Sequence, residues 1–192
     1  MKYFPSFTRV FFLLLICMLF SGGCSTVRVS DYSAMQPVMK PENFFNGPIT
    51  AHGVIKNRSG RVTSYFNADI TGSWKEGVGT LEEDFVFSDG EKSRRVWTFR
   101  KNVDGTYSAT ADDVIGEAHG EVSGNAMFLK YVLRIPYGDK SIDVAIDDRM
   151  YQTTSDILIN ESRMYKFGFR VGEILLVMVK HPEPQAQLMI EK

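Results

Sequence analysis

Cysteine is nearly absent. The 192-residue chain has two, Cys17 and Cys24. That excludes the disulfide framework by which many small exported domains are held, and the fold must rest on its core. An excess of basic charge is also missing. Lys and Arg number 22 against 23 Asp and Glu, and no basic stripe interleaves with aromatics, which excludes nucleic-acid binding. Catalytic signatures are missing too: there is no nucleophile elbow, phosphate loop or dinucleotide fingerprint. The three histidines, His52, His119 and His181, fall in no set with metal-ligand spacing. "EAHGE" (117–121) is a weak metal hint, so neither metal nor cofactor is expected and no catalytic residue is assigned. The apolar run "VFFLLLICMLF" (Val10–Phe20) is too short to span a bilayer as a stable helix.

What that run does have is the setting of a targeting segment. Lys2 and Arg9 precede it and "SGGC" follows it, so residues 1–23 read as a signal peptide. Small residues followed by cysteine resemble a bacterial lipoprotein signal, although Ser21 stands where leucine is commonest. Processing would leave Cys24 as a diacylated first residue and discard Cys17. A lone thiol in an oxidising compartment is awkward, and acylation removes it. An ordinary signal peptide with a cysteine nearby is the alternative. Ser25, in place of aspartate, favours the inner leaflet of the outer membrane, facing the periplasm. The polar, proline-containing segment 24–42 reads as a tether from lipid to domain. The barrel domain described next is expected over 43–181, with a tail over 182–192.

From Phe44 the chain alternates with period two between turn signals such as "NRSG", "KEG", "DG", "SGN" and "YGD". Ten strand candidates result: 49–56, 61–74, 78–88, 93–101, 106–112, 114–122, 126–136, 141–152, 157–166 and 173–180. No amphipathic helix of convincing length competes with them. Consecutive strands with tight turns form an antiparallel meander, and closure removes its two long edges. The expected fold is therefore all-β, an up-and-down antiparallel barrel of about 8–10 strands, with an open sandwich as the alternative. On segment 114–122 the small residues Gly116, Ala118 and Gly120 share one parity. They point either to room in the lumen or to relief of twist. "GSW" (72–74) echoes a lipocalin G-x-W, but at the second strand instead of the first, and carries little weight.

"TLEEDFVFSDGEKSRRVWTF" (80–99) is the most charged hairpin candidate. Parity puts Leu81, Glu83, Phe85 and Phe87 on one face, and Arg95, Trp97 and Phe99 on the facing strand. A three-residue loop at 89–91 predicts Phe85 opposite Arg95 and Glu83 opposite Trp97, with Glu83 and Arg95 diagonal. Charges inside an apolar lumen need partners. They form a structural pair, or Arg95 anchors an anionic head group, or a bulge turns both outward. Asp148 shares its parity with Ile142, Val144 and Ile146, so it is a third inward charge, able in principle to share Arg95 or to work with Glu83 in acid–base chemistry. Tyr131 lies on the inward face of 126–136. The last strand, "EILLVMVK" (173–180), is apolar on both faces and needs an outer cover from tether, tail, partner or membrane.

Taken together, "FFNGPITAHGVIKNRSGRV", "GTLEEDFVFSDGE" with "RRVW", "GEAHGE", "DDRMY" and "KFGFRVGEI" resemble a family of uncharacterised proteobacterial lipoproteins, a domain of unknown function. The resemblance covers most of residues 42–180. It implies a lipocalin-like fold, and an envelope role connected with lipids, since members tend to be encoded near fatty-acid-modifying enzymes of the cyclopropane-synthase type. It supplies no site residues. The expected function is a lipid-anchored envelope protein whose barrel binds a fatty acid or other small amphiphile. Arg95, Glu83 and Asp148 would form its polar end, and Trp97, Phe85, Phe87, Phe99 and Tyr131 its walls. The alternative is a structural or assembly lipoprotein with a filled barrel that acts through an envelope protein partner.

Overall fold

The computed structural model describes residues 26–183. The segment read from the sequence as a signal peptide, Cys24 and most of the stretch read as a C-terminal tail lie outside the described residues. Ten strands follow in order: β1 (Gly47–Asn57), β2 (Val62–Lys75), β3 (Val78–Phe87), β4 (Lys92–Lys101), β5 (Tyr107–Thr110), β6 (Val114–Ser123), β7 (Ala126–Tyr137), β8 (Lys140–Gln152), β9 (Ile157–Lys166) and β10 (Phe169–Lys180). Each pairs antiparallel with its sequence neighbours, and β1 pairs with β10, so the sheet closes into a barrel. The open sandwich is thereby excluded.

The strands form because their alternation is one-sided. On β2, Phe66, Ala68, Ile70 and Gly72 are buried while Asn67, Asp69, Thr71 and Ser73 are exposed. Half-buried alternation of this kind suits an antiparallel wall with core on one side and water on the other. β5 is the exception in length, with four residues between longer neighbours.

The turns differ from expectation at one decisive place. Phe87 N–H donates to Glu91 C=O at 2.9 Å, and Gly90 N–H donates to Phe87 C=O at 2.9 Å. The three-residue loop is thus Ser88-Asp89-Gly90, one residue earlier than the pattern predicts. In such loops the last position is left-handed, and Gly90 occupies it at φ +89°. The shift moves the β3–β4 register by two, pairing Glu83 with Arg95 and Leu81 with Trp97.

One end of the barrel carries the chain termini of the fold and is plugged. α1 (Pro41–Phe44) lies across it, with Met39, Phe44 and Phe45 buried in the main core. Trp74 Nε1 donates to Phe45 C=O at 3.0 Å, Tyr107 Oη donates to Glu42 at 2.7 Å, and Lys180 Nζ donates to Phe44 C=O at 3.1 Å. A 3-10 turn (Val29–Tyr32) packs on the outer wall against Phe128 and Tyr151. Much of the segment read as a tether is therefore docked on the barrel, because its few apolar residues find matching surface there.

Among the small residues of β6, Gly120 leaves no room in the lumen, while Gly116 is exposed with open space beside it. A Cβ at Gly120 would lie 3.0 Å from Met127 and 3.1 Å from Leu129, whose side chains fill that space, and Gly116 sits at φ +74° where β6 slips register against β7. The plugged half is thus packed solid by Met127, Leu129, Trp97, Phe99, Tyr107, Ile49 and Leu158.

Phe44→Ala is expected to lower stability by about 3–5 kcal/mol, as for other buried Phe truncations. Chemical unfolding of the variant checks this, and a loss below about 1 kcal/mol would mean that the plug is not part of the core.

Candidate functional site: the polar belt below the open mouth

The other barrel end has no plug. Its inward side chains, Phe85, Phe87, Ile135, Ile142, Met164 and Leu176, are only partly buried, and they surround a mouth. Phe66 packs against both Phe85 and Phe87, with ring centroids 5.6 and 5.9 Å away. The wall is notched on one side. β5 pairs with β4 only over Thr98–Lys101 of the latter, so 92–97 of β4 has no partner on that side. Likewise β6 pairs with β5 only from Ala118 onward. The 111–113 turn between β5 and β6 forms the base of this notch.

Below the mouth runs a belt of polar side chains contributed by β3, β4, β7, β8, β9 and the 111–113 turn. Glu83 and Arg95, directly opposite in the corrected register, form an ion pair with Arg95 Nε 2.8 Å from Glu83 Oε2. The Glu83 side chain is 8% exposed and the Arg95 side chain 23%, so the pair is nearly dry. Arg95 Nη1 also reaches Asp113 Oδ2 at 3.5 Å, across the notch. The guanidinium stacks against two rings, 5.4 Å from the centroids of Phe85 and Trp97. Burial works against its charge, but Glu83, Tyr131 and Asp113 outweigh that, and the Arg95 pKa lies above the ordinary arginine value.

Opposite this pair, Asp148 is buried in a nest of donors. Ser162 Oγ donates to its Oδ1 at 2.8 Å, Asn160 Nδ2 donates to the same oxygen, and Tyr131 Oη faces Oδ2 at 3.5 Å. Burial pushes the Asp148 carboxyl above the ordinary Asp value, while the Asn160 and Ser162 hydrogen bonds and the Arg95 charge pull it back. The Tyr131 hydroxyl is raised well above its usual value by burial first and by Asp148 second. Tyr131 meets Trp97 edge-on at 5.3 Å, which ties the two halves of the belt together.

Glu83, Arg95, Asp148, Phe85, Trp97 and Tyr131 therefore converge. Phe87 stands higher, stacked on Phe85 near the rim. Phe99 does not belong to the mouth wall. It is buried between Trp74 and Trp97 in the packed half. Arg95 is shared with Asp113, not with Asp148. Asp113 lies in a turn, where parity has no meaning, and the sequence carried no signal for it. Asn160 and Ser162 did have one, as polar residues alternating with Leu158 and Met164 along β9. Glu117 and His119 face outward on β6, and among the described residues no cluster of His, Cys, Asp or Glu could hold a metal ion.

An antiparallel meander closed on itself, with a plugged and an open end, is the architecture of up-and-down, lipocalin-like barrels. The chain belongs to the family described as "Protein of unknown function (DUF3833)", whose pattern matches residues 18–180. Among solved structures, it is similar to the S-type phycobiliprotein lyase CPES from Guillardia theta, at 14% identity and TM-score 0.47, covering 76% of this chain and 95% of that one. It is also similar to the odorant binding protein OBP1, at 14% identity and TM-score 0.34, covering 79% and 80%. These are distant likenesses, and no site residue is carried over from either. The comparison with curated proteins gives no match.

Two outcomes test the belt. Arg95→Ala, which strands Glu83 in a dry lumen, is expected to cost about 3 kcal/mol in chemical unfolding, while the paired replacement Glu83→Leu with Arg95→Leu costs clearly less. Equal losses would mean that the pair is solvated. Folded Asp148 holds its proton more tightly than the unfolded chain does, so the folded state binds more protons above the ordinary Asp pKa of about 4. Its contribution to stability is complete below that value and is lost as pH rises through the raised one. Asp148→Asn should therefore gain on the wild type as pH rises from about 4 towards neutrality, read by urea unfolding across that range. A constant difference would show an unperturbed carboxyl.

Proposed function

We propose that this protein is a lipid-anchored lipoprotein of the outer membrane's inner leaflet, facing the periplasm, whose barrel mouth binds a small amphiphile. The observation that carries the binding reading is the layered lumen. A ring of half-buried apolar side chains stands above a buried polar belt, and a notch in the wall opens at the level of Arg95 and Asp113. An amphiphile matches such layering, because its tail finds Phe85, Phe87, Ile135, Ile142 and Met164 while its head group finds hydrogen-bonding partners. The anchor and the location rest on the sequence around Cys24.

A second reading has its own observation. Along the outer wall, Leu175, Ile159 and Tyr65 are 38, 41 and 58% exposed, beside an open groove of about 550 Å³ that runs over β1, β2, β9 and β10. An apolar strip of this kind supports contact with an envelope protein partner. In that case Leu175→Glu should abolish a stoichiometric crosslinked partner, and amphiphile binding should be unaffected.

Native mass spectrometry of the full chain, released gently from its own membranes, tests the first reading. A bound species of defined mass is expected, and Ile142→Trp, which fills the mouth, should remove it without lowering stability by more than about 1–2 kcal/mol. A protein that is empty as isolated, and stays empty with added amphiphiles, would overturn it.

A further inference from the structure

The charge balance of the belt narrows the ligand. Among the described residues, three carboxylates face this region, Glu83, Asp113 and Asp148, against the single guanidinium of Arg95. Arg95 is mostly committed: its Nε goes to Glu83, its Nη1 to Asp113, and the Phe85 and Trp97 rings lie 5.4 Å from its guanidinium carbon, which leaves Nη2 alone without a partner among the described residues. A carboxylate head group would have to displace one of these acids to gain the bidentate contact that makes Arg an anion anchor. Displacing Glu83, whose side chain is 8% exposed, would strand its charge beside the ligand's own in a nearly dry lumen. Beside Asp113, whose side chain is 40% exposed, a third negative charge would still share the one guanidinium.

Acceptors, in contrast, are left over. Arg95 touches Glu83 through one nitrogen and one oxygen, not as a two-point fork. At Asp113 only Oδ2 is engaged, and Oδ1 is buried without a hydrogen-bond partner. A buried unpartnered carboxylate oxygen is costly and calls for a donor. The Asp113 side chain as a whole is 40% exposed at the base of the notch, so a head group held by the mouth can approach this carboxylate from water, and a small turn of the side chain brings Oδ1 to it.

We infer that the site takes an amphiphile whose head group donates hydrogen bonds and is cationic or neutral, an alkylammonium above all, and rejects a fatty carboxylate. This rests on the reading of the mouth as a binding site and specifies its ligand. A head group of that class supplies Asp113 with its missing donor and lowers the excess negative charge of the belt. The Glu83–Arg95 pair remains intact.

The experiment is isothermal titration of the full chain, stripped of bound lipid, with decylamine, decanol and decanoate at neutral pH. The three share one chain length and differ at the head. Decylamine is expected to bind tightest, and decanoate weaker by at least about ten-fold, or 1.4 kcal/mol. Asp113→Asn should weaken decylamine several-fold and leave decanol nearly unchanged, with its folded state verified by chemical unfolding. Tighter binding of decanoate would overturn the inference and leave the binding mouth standing. An unchanged decylamine affinity in Asp113→Asn would remove Asp113 from the site and overturn it as well. Heat-silent titrations with all three probes would overturn the binding reading itself, and the inference with it.

Discussion

The structure depends on the pairing of β1 with β10. These strands are the first and last of the meander, yet they share nine residue pairs, from Ile49 opposite Lys180 to Asn57 opposite Gly172. Without that ladder the sheet would present two long edges with unsatisfied backbone groups, one of them the apolar strand "EILLVMVK". With it, every inward residue faces another wall. The plug of α1 is placed by the same closure, since Lys180 at the end of β10 reaches the Phe44 carbonyl and Trp74 at the end of β2 reaches that of Phe45.

Closure also creates an electrostatic constraint. Strands at opposite sides of the barrel send Glu83, Arg95, Tyr131, Asp148, Asn160 and Ser162 into one layer, where water is scarce. Charges there persist only if each has partners, and the belt meets that demand in two ways. Glu83 and Arg95 neutralise one another under two aromatic rings. Asp148 instead collects neutral donors, at the cost of a pKa pushed upward by burial. A buried polar layer of this kind is a weak source of stability. Its presence just beneath the one unplugged end is what separates this barrel from one with a uniformly apolar filling.

The two halves of the lumen accordingly do different things. Near the termini, Met127, Leu129, Trp97 and Phe99 fill the lumen, and Gly120 of β6 admits Met127 and Leu129. Near the mouth, the inward side chains stay half exposed, because the wall is low where β5 is short and β6 slips register. The outer strip on β9 and β10 is a separate apolar surface, so occupation of the mouth and docking on the wall do not exclude one another.

The period-two pattern and its turn residues were enough to read all ten strands and their meander. Alternation encodes which side of a wall a residue faces, and only closure satisfies the edges. It also named Glu83, Arg95, Trp97, Tyr131 and Asp148 as inward. It did not determine the β3–β4 register, because "SDGE" accommodates two loop placements and the left-handed demand at Gly90 selects one. The docking of residues 29–45, the loss of Phe99 to the packed half and the arrival of Asp113 beside Arg95 were decided by tertiary structure alone. Each depends on which distant surfaces meet and on how high the wall stands at one point. Parity along a strand carries no information about depth in a barrel, or about a turn that lies between strands.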